Sequence, residues 1–234
     1  MMGLKEDLIK EVTHTFKSQW KEQETTEVPD PEDLKLNSND ARNLKQATVL
    51  YADLDGSTNM VDTQDWHFSA EVYKAYLRCA SDIIRDENGA ITGYDGDRVM
   101  AIFTGKRKNT SAVRCALKIN FAAHHIMRPA LEAQYGTSAF TLKYVVGIDT
   151  SQLRAARIGV RGDNDLVWIG RAANYAAKLA SLTGKPTWIT KAVYDVMTDE
   201  VKTANGVSMW TAHTWKAMND LQVYASTYAW WPIP

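Results

Sequence analysis

The chain has 234 residues, 45% hydrophobic and 24% charged, an ordinary globular composition with room for one domain and an appendage. Its 27 basic and 28 acidic residues leave a formal net charge of −1, so no global basic field exists to hold nucleic acid or an anionic membrane. The apolar runs are too short to span a bilayer, and the first residues lack the apolar core of a signal peptide. The 2 cysteines, Cys79 and Cys115, fall inside predicted helices without metal-ligand spacing and read as free thiols, which points to a cytoplasmic protein.

Residues 4–20 read as a helix with Leu4, Leu8, Ile9, Val12 and Phe16 on one stripe. An isolated helix of this length is marginal in water, so the stripe is expected to pack on the domain or on a partner subunit. The polar stretch 21–43, with Pro29 and Pro31, reads as an arm over the surface, which divides the chain into a helix and arm (1–45) and a main domain (46–234). A strand is expected over 46–54 and a helix over 64–86, striped by Phe68, Val72, Tyr76, Ala80 and Ile84. A hairpin follows, 90–93 with 98–103, then a helix over 111–134. His124 and His125 are adjacent on that helix and point apart, which argues against a two-histidine metal site.

Strands are expected at 140–149, 153–159 and 166–169, with Asp163, Asn164 and Asp165 as the turn between the last two. A short Ala-rich helix, 171–181, precedes a strand at 186–189. Thr190 reads as the cap of a helix to about residue 197, and two closing strands lie at 207–210 and 221–228. This order implies an α+β sandwich with a split βαβ, ferredoxin-like core: a mostly antiparallel sheet with helices on one face.

The chemistry concentrates in two stretches. The apolar run from Ala47 breaks at Asp53-Leu-Asp-Gly-Ser-Thr58, where carboxylates can hold a hard divalent cation and a helix N-terminus offers unpaired amides to an anion. Asp97 sits at the tip of the predicted hairpin, and in a βαββ arrangement that tip neighbours the end of the first strand. Two carboxylates brought close repel unless a cation lies between them, so Asp53 and Asp97 mark a Mg²⁺ or Mn²⁺ site. Asp95 reads as a turn residue.

These residues carry a resemblance. Tyr51-Ala-Asp-Leu-Asp-Gly-Ser-Thr58 and Gly96-Asp-Arg-Val-Met-Ala-Ile-Phe103 resemble the two metal motifs of the class III nucleotidyl cyclases. Val146-Gly-Ile-Asp-Thr-Ser-Gln-Leu-Arg-Ala-Ala-Arg-Ile-Gly159 and Ile169-Gly-Arg-Ala-Ala-Asn-Tyr-Ala-Ala-Lys-Leu179 resemble the family's Gly-Ile-x-Thr-Gly strand pair and its Asn-bearing helix, in family order. The resemblance implies a class III cyclase sandwich in which Asp53, Asp97 and the carbonyl of Leu54 hold two divalent ions. It implies that Asp55, Gly56, Ser57 and Thr58 cradle the β- and γ-phosphates. Asn174 would orient the ribose and Lys178 would stabilise charge at the α-phosphate, from the second subunit of a homodimer with composite sites.

Three positions depart from the family pattern. Lys178 stands where Arg is usual, which removes a bidentate fork and leaves Arg171 or Arg157 as possible helpers. The two purine-reading positions hold Gly93 and, within one residue, Val167 or Trp168. This pattern resembles the stand-alone pyrimidine cyclases of the bacterial Pycsar antiphage systems. It implies a cyclic pyrimidine nucleotide, cyclic UMP or cyclic CMP, that a separate effector protein reads; UTP is the favoured substrate, and no residue here settles the choice. Tyr94, Arg98 and Trp168 are the candidate base readers. A purine cyclase, a cyclase-shaped nucleotide sensor without catalysis, and a palm-like polymerase stay open as alternatives.

Overall fold

A computed structural model describes residues 3–137, 140–229 and 231–233. Helix α1 (Leu4–Lys17) and the short strand β1 (Lys21–Glu24) precede the central strand β2 (Asp40–Leu54). Helices α2 (Ser57–Thr63) and α3 (Trp66–Asp86) lead to the hairpin β3 (Ala90–Asp95) and β4 (Arg98–Phe103). Helix α4 (Lys108–Ala122) continues through a π-helical turn (Ala123–Met127) into α5 (Arg128–Tyr135). Strands β5 (Tyr144–Val160) and β6 (Asp163–Ile169), helix α6 (Arg171–Ala180), strand β7 (Thr187–Thr190) and helix α7 (Lys191–Val196) follow. The two-residue strands β8 (Thr203–Ala204) and β9 (Val207–Ser208) and the closing hairpin β10 (Thr211–Trp215) and β11 (Leu221–Ser226) complete the chain.

The main sheet runs in the order β10-β11-β7-β5-β2-β4-β3, antiparallel except where β5 meets β7, with β1 added in parallel to β2. The α+β class is therefore as expected, but the helices cover both faces. Leu50, Ala52 and Leu54 of β2 pack with Phe68, Tyr76 and Ile84 of α3 and with Leu117 of α4. Ala47 and Val49 point the other way, into a second cluster with Ala172, Ala173 and Ala176 of α6. The apolar run of β2 shows no polar alternation because neither face is wet.

Helix α6 comes close to the sheet because Gly147 has no side chain. A Cβ there would lie 2.2 Å from the Ala176 carbonyl oxygen and 2.4 Å from the Ala180 nitrogen. The alanines on α6 and the glycine on β5 thus fix the height of the helix that carries Asn174 and Lys178.

Several expected boundaries move. The central strand begins at Asp40, because the polar arm supplies β1 as its neighbour there. The helix expected over 111–134 contains a π turn just before Pro129, a residue that cannot donate to the carbonyl a turn earlier. The strands expected at 140–149 and 153–159 are one strand of 17 residues. Its turn into β6 is at Arg161 and Gly162, where Gly162 has φ +95°, and Asp163 already belongs to β6. Thr190 precedes α7, yet its hydroxyl donates to Asp149 and not to the helix. The closing hairpin is β10 with β11, while the expected strand at 207–210 contributes only to the separate β8–β9 pair.

Helix α1 forms as expected, but it does not pack on its own domain. Leu4 is 76% exposed and Phe16 85%, and Leu8, Ile9 and Val12 are exposed beside them. The Asn39 side chain ties the end of the helix down by donating to the carbonyls of Thr15 and Ser18. Among the described residues no helix is long and apolar enough to cross a membrane.

Candidate active site

The end of β2 and the β3–β4 turn meet at one edge of the α6 face. Tyr51 pairs with Met100 and Ala52 with Val99, so Asp53 continues one strand where the neighbouring strand turns back through Gly96 and Asp97. Gly96, at φ +63°, makes that turn possible. Burial first, and then the Asp97 carboxylate, push the Asp53 carboxyl up to about 6, against the Arg98 charge and the Leu54 amide that donates to it. Asp97 Oδ2 is buried and has no hydrogen-bond partner. An orphaned carboxylate oxygen beside a second carboxylate is a donor set for a hard cation. Among the described residues no group of three or more His, Cys, Asp or Glu side chains is placed to hold a metal. A cation here would therefore take its remaining ligands from backbone, substrate or water.

The expected phosphate loop lies directly after Asp53. Gly56, at φ +80°, precedes α2, and its carbonyl accepts from Met60. Ser57 and Thr58 occupy the first turn, whose amides have no partner within the helix. Asp55 differs from its expected role: its amide donates to the Lys143 carbonyl at 3.0 Å and is committed to the fold. The amides left for an anion are those of Gly56, Ser57 and Thr58.

Asn174 and Lys178 are one helical turn apart on α6 and both exposed. Asn174 lines a cavity of about 330 Å³ with Tyr94, Arg98 and Trp168, so the three candidate base readers and the candidate ribose residue share one chamber. Lys178 does not line it, and its ammonium rests 3.6 Å from Met218 Sδ. Tyr94 reaches Ser81 through its hydroxyl at 2.9 Å. Arg98 is held by the Asp95 carboxylate and lies over the Tyr51 ring, so Asp95, expected in the turn, instead ends β3 and anchors Arg98.

Neither candidate helper for Lys178 is available. Arg171 donates to the fully buried Asp149 and to the Thr150 carbonyl. Arg157 donates to Asn164 and to the Leu34 carbonyl.

Sequence reasoning missed Thr92 and passed over Tyr51 as a site residue, and both line the chamber. Thr92 is the extra residue of a β-bulge between Ile91 and Gly93, and its hydroxyl is buried without a partner. Bulges re-aim side chains and are enriched beside active sites. No periodicity announces one.

No family model matches the chain. A curated uridylate cyclase from Burkholderia cepacia is 64% identical over 98% of this chain and 99% of its own length. A second, from Xanthomonas perforans, is 50% identical over the same shares.

The chain belongs to the uridylate cyclase family.

It is a nucleotide cyclase, a lyase. The fold agrees. The adenylyl cyclase CyaB from P. aeruginosa superposes with TM-score 0.66 at 22% identity, over 80% of this cyclase and 95% of that chain. The guanylyl cyclase Cya2 does so with TM-score 0.67 at 19% identity, over 81% and 95%.

Proposed function

We propose that this cyclase converts UTP to its 3′,5′-cyclic monophosphate and pyrophosphate, using two divalent ions, Mg²⁺ or Mn²⁺, per site. The observation that carries the chemistry is the convergence of Asp53 and Asp97 with one buried oxygen left over. The full-length likeness to two uridylate cyclases carries the choice of base. Bound divalent ions would neutralise the triphosphate and activate the ribose 3′-oxygen. Asp53, Asp97 and the Leu54 carbonyl hold them. The amides of Gly56, Ser57 and Thr58 bind the terminal phosphates. Asn174 orients the ribose, and Lys178 places its charge on the α-phosphate as the 3′-oxygen attacks and pyrophosphate leaves. Thr92, Tyr94, Arg98 and Trp168 read the base.

The site is completed by a second copy of the chain, with the aspartates of one subunit facing Asn174 and Lys178 of the other. The open apolar stripe of α1 supports this, since a patch of that kind is commonly covered by an interface. In the cell the product serves antiphage defence by activating a separate effector protein in the cytoplasm. The expected boundary at residue 46 would cut through β2, so the appendage to the catalytic domain is helix α1 and the arm that supplies β1. A second reading, a nucleotide sensor without turnover, draws on Lys178 alone, which stands where the family usually has Arg.

The test is incubation of the purified protein with UTP, CTP, ATP and GTP in turn, with Mn²⁺, and mass spectrometry of the products. Cyclic UMP as the main product supports the proposal. Cyclic AMP or GMP alone contradicts the pyrimidine reading, and no product from any of them favours the sensor.

A further inference from the structure

Alternate residues of β5 face α6, as the two-residue period of a strand requires, and three in succession hold that helix. Gly147 lets it approach. Asp149 takes the Arg171 guanidinium, whose Nε donates to Oδ2 at 3.0 Å and whose Nη2 donates to Oδ1 at 3.3 Å. The Ser151 hydroxyl accepts from the Ala172 amide at 2.9 Å. That amide has no partner within α6, and Gly170 at the N-cap offers it no side chain.

Arg171 does more than neutralise a charge. Its Nη2 also donates to the Thr150 carbonyl at 2.8 Å, and its guanidinium lies over the Tyr175 ring. The fork is thus held in one plane by both carboxylate oxygens and a backbone carbonyl, where a lysine would offer a single point of charge. Asp149 cannot move to follow it. Among the described residues it is the one carboxylate with no exposure at all, and it also accepts from the Thr190 hydroxyl at the end of β7. Arg171, Asn174 and Lys178 stand at i, i+3 and i+7, on one side of α6. A rigid contact at Arg171 therefore sets how far the helix is turned about its own axis, while Gly147, against Ala176 and Ala180, sets its height.

We propose that Asp149 and Arg171 are positioning residues of the cyclase reaction: their forked ion pair fixes the rotation of α6, and with it the points from which Asn174 and Lys178 meet the substrate. This rests on the cyclase reading, which gives Asn174 and Lys178 their roles. Neither Asp149 nor Arg171 touches the substrate; both act through the helix. A displacement of about 1 Å at a group that orients a substrate costs about a hundredfold in rate. The metal-binding carboxylates and the phosphate-binding amides lie on other elements and keep their grip, so the loss falls on kcat and not on KM.

The test is steady-state kinetics of the full-length protein with UTP and Mn²⁺, beside melting temperatures of the same preparations. Asp149→Asn and Arg171→Lys are each expected to lower kcat by about ten- to a hundredfold and to leave KM within about threefold. Arg171→Lys keeps the charge and loses only the fork, so its melting temperature should stay near that of the wild type. Arg114→Gln is the matched control. It breaks a pair with the buried Glu87 on the other face of the sheet, and it should melt at a lower temperature with kcat unchanged. Should Asp149→Asn fail to fold, Arg171→Lys decides alone. A kcat within about twofold of wild type in the folded clamp variants overturns the proposal. So does a kcat that falls with melting temperature in every variant, Arg114→Gln included. A wild type that turns over none of UTP, CTP, ATP and GTP removes the cyclase reading and this proposal with it, whereas an active wild type keeps the two questions apart.

Discussion

Asp97 stands beside Asp53 at the paired ends of β2 and β4, and together with burial it holds the Asp53 carboxyl up at about 6. The folded state therefore binds a proton that the unfolded chain, with an ordinary aspartate, has released. Stability of the metal-free protein falls as pH rises from about 4 to about 6, and at neutral pH the repulsion remains. Mn²⁺ removes it. Mn²⁺ is expected to raise the melting temperature at pH 7.5 and to have little effect at pH 5. Asp53→Asn should raise the metal-free melting temperature by about 2–4 °C, for roughly 1 kcal/mol after solvent screening, and abolish both the Mn²⁺ shift and turnover. Scanning fluorimetry across pH, with and without Mn²⁺, checks this.

Thr92 carries a buried hydroxyl without a partner in the chamber lined by Tyr94, Arg98 and Trp168. Thr92→Val keeps the shape and removes the hydroxyl. It is expected to leave the melting temperature unchanged or slightly higher, and to lower kcat/KM for the preferred nucleotide by about ten- to a hundredfold. Thr92→Ser should restore most of the rate. Steady-state kinetics of the three proteins decide it.

Gly147 leaves no room for a methyl group beneath α6. Gly147→Ala should cost about 1–3 kcal/mol and, by lifting the helix that bears Asn174, lower kcat more than it raises KM. Urea unfolding and kinetics on the same preparation measure both.

Arg171 neutralises Asp149, which is 0% exposed. Arg171→Gln leaves that carboxylate with the Thr190 hydroxyl and is expected to cost about 2 kcal/mol at pH 7.5, below the cost for a fully buried pair because the arginine is partly open to water. Burial already raises the Asp149 carboxyl above its ordinary value, so the loss should shrink as pH falls and the carboxylate takes up a proton. Unfolding measured at pH 5 and at pH 7.5 tests the sign.

Much of the candidate site is legible in the sequence because its chemistry is local. Asp53 ends an apolar run, Asp97 follows a glycine at a hairpin tip, and α6 announces itself by its alanines. What escaped depends on distant parts of the chain. The commitment of the Asp55 amide comes from Lys143, far along the sequence, and the capture of Arg171 and Thr190 comes from Asp149 beneath them. The bulge at Thr92 arises from a mismatch between β3 and β4 that neither strand shows alone. The stripe of α1 is legible as apolar, but that the domain leaves it exposed depends on the rest of the chain.

The central claim is a site shared between two copies, and one preparation tests it most directly. Asp97→Ala and Asn174→Ala are each expected to be inactive as homodimers. Co-expressed with different tags and purified as the heterodimer, the pair leaves one of two sites intact. About half of the wild-type rate of cyclic UMP formation is then expected. A heterodimer as inactive as its parents would contradict the account.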